Sequence, residues 1–189
     1  HHASLRDPYN LWFVLEIRPH AIVHAGGTQP MQPSYEDLGT PAFMGRVCLS
    51  SSSLPSNRAL LANLIESKGA LETERLVRRW VRNLAQSPYA TNEALRAAIQ
   101  DGTCEFGITG NSHTVFGDWS MSPAPHSYEA TTVGVGRHAP HPESAQVLAD
   151  WLLVNKSIRV PGFAELPRAG VAGWRDEEAL LLAERAGYR

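Results

Sequence analysis

The chain has 189 residues, 43% of them apolar and 19% charged, with a formal net charge of −2. That is enough apolar material for one domain or two small lobes. It contains no Lys/Arg run able to neutralise phosphates, so no nucleic-acid partner is expected, and no apolar run approaches the ~20 residues that span a bilayer.

The chain opens with His1 and His2, which are native sequence or the end of a purification tag, and shows no signal-peptide pattern. "LWFVLEI" (11–17) and "HAIVHA" (20–25) read as two β-prone runs, the second with Ile22 between His20 and His24. "GGTQPMQPSYEDL" reads as a loop ending in a helical turn capped by Ser34. "FMGRVCLSSSS" is a predicted strand that ends in four serines. Three helices follow. The first starts near Asn57 with Leu60, Leu61, Leu64 and Ile65 inward and stops at Gly69. The second turns Leu76, Val77, Trp80, Val81 and Leu84 inward. The third is capped at Thr91 or Asn92 and stops at Gly102. Arg75, Arg78, Arg79 and Arg82 recur at helical spacing and read as a solvated helix face. "GTCEFGITGNSHT" (102–114) is a predicted buried strand with a polar tip. Residues 117–130 read as a Pro- and Ser-rich connector, "TTVGVGRHA" as β-prone, and "HPESAQVLADWLLVN" as a helix with Pro142 in its first turn. "IRVPGFAELPRAGVAGW" is irregular, and a last helix runs from Asp176 to Gly187. Strands alternating with helices give an α/β class with a largely parallel sheet. Trp12, Trp80, Trp151 and Trp174 fall among apolar neighbours and read as core.

Two stretches carry the chemistry. A strand, then Ser50 to Ser53, then a helix near Asn57 is an anion-binding layout, because free N–H groups and hydroxyls converge at the positive end of a helix dipole. The competing reading is that the serines cap the helix and satisfy the loop. It is not a nucleotide-phosphate loop, since the Gly-rich run and its Lys are absent. The second stretch is the polar tip Asn111, Ser112 and His113, since ligands bind beyond the carboxyl ends of strands in open α/β sheets. His20, His24 and His113 make a weak candidate metal set; histidines satisfied by backbone or water are the plainer reading. Ser112 and His113 are adjacent on a strand and point to opposite faces, so they do not form a nucleophile–base pair, and no enzyme is expected. Cys48 and Cys104 each start a strand-like segment. They are either a disulfide, worth roughly 4 kcal/mol for so long a loop, or two buried thiols.

Five collinear blocks resemble the later part of the periplasmic ferric-iron-binding proteins, the solute-binding components of bacterial iron-uptake ABC transporters. They are "LRDPYNLWFVLEIRPHAIVHAGG", "SYEDLGTPAFMGRVCLSSSSLPSNRALLANLI", "ALRAAIQDGTCEFGITGNSHTVF", "YEATTVGVGRHAPHPESAQVLADWLL" and "EALLLAERAGYR". The resemblance implies a two-lobed periplasmic-binding fold that closes like a hinge on its ligand. It implies a crossover at 1–17, the second lobe at 18–125, and a return to an incomplete first lobe over 126–189. It also implies a Cys48–Cys104 disulfide, a periplasmic location and an ABC permease as partner. Fe(III) comes from the resemblance alone, and here the pattern departs from it. Where the family places its iron-binding tyrosines, this chain has Ser56, Ser112 and His113. Neutral hydroxyls and an imidazole cannot supply the anionic oxygen that a hard cation needs. Tyr89 lies near enough to offer one phenolate. The expected function is therefore a solute-binding module for an anion or small organic solute, with Ser51, Ser52, Ser53, Ser56, Asn57, Asn111, Ser112 and His113 as ligand contacts. The alternatives are a degenerate or truncated scaffold serving as an interaction domain in a homo-oligomer, and more distantly a hydrolase or metalloenzyme using His113.

Overall fold

The structure is a computed structural model, and it describes residues 11–24, 32–110, 120–121, 128–155 and 175–189. The chain divides into two compact units, 1–18 with 130–170 and 19–129 with 171–189.

The larger unit is built on a mixed sheet. It contains β2 (Val47–Leu49), β3 (Phe106–Gly110), β4 (Ser120–Met121) and the later part of β1 (Trp12–His24), in the order β2-β3-β1-β4; β5 (Tyr128–Gly134), most of which lies in the smaller unit, also pairs with β1. β2 and β3 are parallel, with Leu49 opposite Ile108. A further parallel edge lies on β2, where Leu84 bridges Val47 and Tyr89 bridges Ser50. β1 runs antiparallel to both β3 and β4. The expected largely parallel sheet is thus corrected to a mixed one, because the strand that passes between the units enters the sheet against the direction of its neighbours.

The two β-prone runs at 11–17 and 20–25 form one strand. Pro19 is tolerated within it because pairing with β3 begins only at His20, so the missing N–H costs that ladder nothing. β4 was expected to be connector; two residues are too short to leave a periodic signal.

Period-two alternation sends the sheet's side chains to two cores. Ile22, Val47, Leu49, Phe106 and Ile108 face one cluster, and Val23 and Cys48 face the other. The first cluster is closed by α1 (Pro55–Lys68), α2 (Ala70–Arg82) and α5 (Asp176–Ala186). Leu60, Leu61, Leu64, Ile65, Leu76, Val77 and Trp80 are buried there, as their spacing predicts. The second cluster is closed by α3 (Asn92–Gln100) through Leu95, Ala98 and Ile99. α3 sits so close to β3 that a Cβ on Gly107 would lie 2.7 Å from Ile99 and 3.0 Å from Leu95. Thr91 caps α3, its hydroxyl accepting from the Ala94 N–H. Ser34 likewise accepts from the Asp37 N–H at the start of a 3₁₀ turn.

α5 belongs to this larger unit. It packs its Ala179, Leu182, Ala183 and Ala186 face on α1 and α2. Gly187 ends α5 with a left-handed turn, φ 77°, and this aims Tyr188 back into the core.

The smaller unit contains the first part of β1, the latter part of β5, and α4 (Pro142–Asn155). Gly134 lets β5 approach closely, since a Cβ there would lie 2.6 Å from the Leu11 carbonyl. Trp12 and Trp151 are exposed rather than core, and Trp174 lies outside the described residues. Of the three described, Trp80 is the core residue, enclosed between α2 and the 34–40 turn.

Candidate functional site

Because β2 and β3 are parallel and in register, their carboxyl ends lie side by side. The Ser50–Ser53 run therefore leaves the sheet next to Gly110, the last described residue before the polar tip. Asn111, Ser112 and His113 themselves lie outside the described residues. The neighbouring strand also reaches this edge. His20 pairs with Gly110, and its Nε2–H donates to the Ser56 carbonyl at 2.6 Å. The imidazole is thus a buried strut between β1 and the first turn of α1. His24 packs on Phe106, ring centroids 6.3 Å apart. Among the described residues no three His, Cys, Asp or Glu side chains form a metal-holding group.

The serine run is held by a network. Asn57 Nδ2 donates to the Ser50 carbonyl (2.9 Å), the Ser50 hydroxyl (3.0 Å) and the Ser51 carbonyl (2.9 Å). The Ser50 hydroxyl donates to Asn92 Oδ1 on α3. The Ser51 N–H donates to the Tyr89 carbonyl, and the Ser51 and Ser53 hydroxyls share a hydrogen bond of 2.8 Å. Two further bonds come from the chain's penultimate residue. Tyr188 donates its hydroxyl to the Ser50 carbonyl, and the Ser52 hydroxyl donates to the Tyr188 carbonyl at 3.0 Å. Ser52, Ser56 and Asn57 are buried, whereas Ser51 is half-buried and Ser53 exposed. The loop is therefore prearranged, with Ser51 and Ser53 at its surface. Nothing local in the sequence points to Tyr188 in this role; the helix-ending Gly187 beside it is the signal that could have found it.

The described tyrosines hold their protons more tightly than a free phenol does. Burial pushes the phenols of Tyr35, Tyr128 and Tyr188 up from their ordinary value. The Tyr89 phenol is also pushed up, by partial burial and then by the Asp101 carboxylate. Tyr89 packs against the cluster that contains the disulfide. Cys48 and Cys104 are joined in that disulfide, their Cα atoms 6.0 Å apart. It ties β2, two residues before Ser50, to the loop that leads into β3.

No family model matches the chain. It is 31% identical over 106 residues to "Iron uptake protein A1" of Synechocystis sp. (strain ATCC 27184 / PCC 6803 / Kazusa), an alignment that covers 55% of this chain and 29% of that protein. Among solved structures it is similar to apo ferric ion-binding protein A of Pasteurella haemolytica, with a TM-score of 0.82 and 21% identity, covering 98% of this chain and 72% of that one. It is also similar to the Trichodesmium protein IdiA (FutA) solved with iron and citrate ligands, with a TM-score of 0.80 and 23% identity, covering 99% and 73%. The chain thus spans under a third of the curated relative's length and about three-quarters of these structures. In fold, over nearly its whole length, and in sequence, over 106 residues, the chain resembles the periplasmic ferric-ion-binding proteins.

Proposed function

We propose that this chain is part of the solute-binding component of a bacterial ABC transporter, working in the periplasm, and that its larger unit offers a ligand surface at the carboxyl ends of β2 and β3. The observation that carries the reading is the parallel, in-register placement of those two ends, with the serine run leading directly into α1. Such an edge is where α/β folds bind ligands, and a helix start favours anions. Ser51 and Ser53 would meet the ligand. Ser52, Ser56, Asn57 and His20 would hold the loop in shape. Asn111, Ser112 and His113, which continue β3, would complete the surface.

The ligand is an anion or small organic solute rather than bare Fe(III). Ser56 stands where the relatives are expected to carry a phenolate, and its side chain is buried. The described phenols are all held toward the protonated form. The test is a thermal-shift and calorimetric screen with Fe(III)-citrate, citrate, phosphate and carbonate. Stabilisation by a free anion, lost in Ser51→Ala/Ser53→Ala, is expected. A coloured, stoichiometric ferric centre, or no response to any of the four, would overturn the reading. An interaction domain that binds no solute would give the second result.

A further inference from the structure

The face of α2 that the sequence presents as solvated is partly built. Arg75, Arg78, Arg79 and Arg82, with Val81 and Ala186, line a groove of about 450 Å³, within the range of small-molecule sites. The carboxylates nearby are already engaged. Glu72 takes Arg75 at 2.6 Å, and Glu74 takes both Arg78 at 2.8 Å and Arg185 at 3.0 Å. Those two guanidiniums hold the Glu74 carboxyl below its usual range. The Asp37 carboxylate, on the turn packed against α2, is occupied by the N–H and hydroxyl of Ser34. Arg79 and Arg82 have no carboxylate partner among the described residues.

Arg79 is also positioned. Its stem lies on Gly39, where an added Cβ would come within 2.9 Å of the arginine's Cβ and 3.0 Å of its Nε. That turn is fastened to α2 from beneath. Asn83 Nδ2 donates to the Leu38 and Thr40 carbonyls at 2.8 and 2.6 Å, and Trp80 Nε1 donates to the Tyr35 carbonyl at 2.7 Å. A guanidinium with a packed stem and no internal counter-charge loses little freedom on meeting a ligand, and its fork matches two oxygens at once.

We infer that this groove is a second ligand site, distinct from the serine loop, which binds a small anion bearing at least two carboxylate or phosphate oxygens. Arg79 is its anchor and Arg82 its second contact. The site stands independently of the transport reading, since none of its lining residues touches the serine run.

The probes are citrate and pyrophosphate, titrated by calorimetry at low ionic strength into the 189-residue chain carrying Ser51→Ala/Ser53→Ala, so that the serine loop adds no binding of its own; the one that binds identifies the oxyanion type. Saturable one-site binding is expected for at least one. It should weaken at least about tenfold in Arg79→Gln and again in Arg82→Gln. Arg79→Lys keeps the charge but removes the fork, and should also weaken binding severalfold. The inference is overturned if neither probe saturates, if Arg79→Gln binds like the chain without it, or if Arg79→Lys is indistinguishable from that chain.

Discussion

α1 and α4 are both fourteen-residue helices that begin with proline, and both are rich in apolar side chains. They meet different fates. α1 buries Leu60, Leu61, Ala62, Leu64 and Ile65 between the sheet and α5. α4 buries Ala149 and leaves Val147, Leu148, Trp151 and Val154 at 56% exposure or more. Helical period and apolar content specify a helix. Whether its face becomes core depends on a second layer being in place. At about 25 cal/mol per Å² of apolar surface, that layer is the difference between a structural helix and one that adds little.

The contrast should be sharpest at Trp80. It fills the space between α2 and the 34–40 turn and donates its indole N–H to the Tyr35 carbonyl. Trp80→Ala should cost about 3–5 kcal/mol, from cavity and lost hydrogen bond together, read as a fall in urea midpoint. A loss below about 1 kcal/mol would mean the larger unit is not the tightly packed body that α1, α2 and α5 suggest.

The disulfide comes next. It closes a loop between residues 56 apart in sequence, so Cys48→Ala/Cys104→Ala should lower stability by about 4 kcal/mol in the chain-entropy picture. Both residues are buried, so dithiothreitol should act slowly on the folded chain and fast in mild urea. Rapid reduction without urea would show that the β2–α3 side opens readily, and would bring it closer in character to α4.

The same contrast explains what the sequence made legible. Elements whose apolar residues recur with one period and find a partner nearby, such as α1 and α2, show their inner faces in the sequence. The serine run before α1 was equally plain, because strand, hydroxyls and helix are contiguous. Local patterns do not carry long-range contacts. The antiparallel entry of β1, the two-residue β4 and the docking of α5 all depend on residues far apart in the chain. So does the Tyr188 contact with Ser50 and Ser52, across 138 and 136 positions. Trp12 and Trp151 were misassigned for the same reason: apolar neighbours in sequence do not guarantee neighbours in space.

Tyr188 is the sensitive point of the serine loop. Tyr188→Phe removes one hydrogen bond to the Ser50 carbonyl while Asn57 still donates to it, so the cost should be about 1 kcal/mol. Amide exchange should quicken at residues 50–57 more than in α2. Titration gives an independent handle. Buried Tyr35 and Tyr188 hold their protons more tightly folded than unfolded. Their contribution is therefore intact below the ordinary phenol value of about 10 and is lost as pH rises above it. Urea midpoints should hold steady to that pH and then fall, less steeply in Tyr188→Phe. A midpoint that stays flat above pH 10 would place these phenols in water.

The smallest effect belongs to α4. Leu148→Ser and Val154→Ser replace side chains that are 56% and 81% exposed, so each should change stability by no more than about 0.5 kcal/mol. On α1, where Leu61 is fully buried, Leu61→Ala should cost about 2–5 kcal/mol. The ratio between these helices matters more than either value. If the α4 substitutions cost 2 kcal/mol or more, that face is covered in solution, and the two helices differ only in which part of the molecule supplies the cover. If they are neutral while Leu61→Ala is severe, the apolar content of α4 contributes to forming a helix and not to a core, which is the distinction that sequence period alone cannot draw.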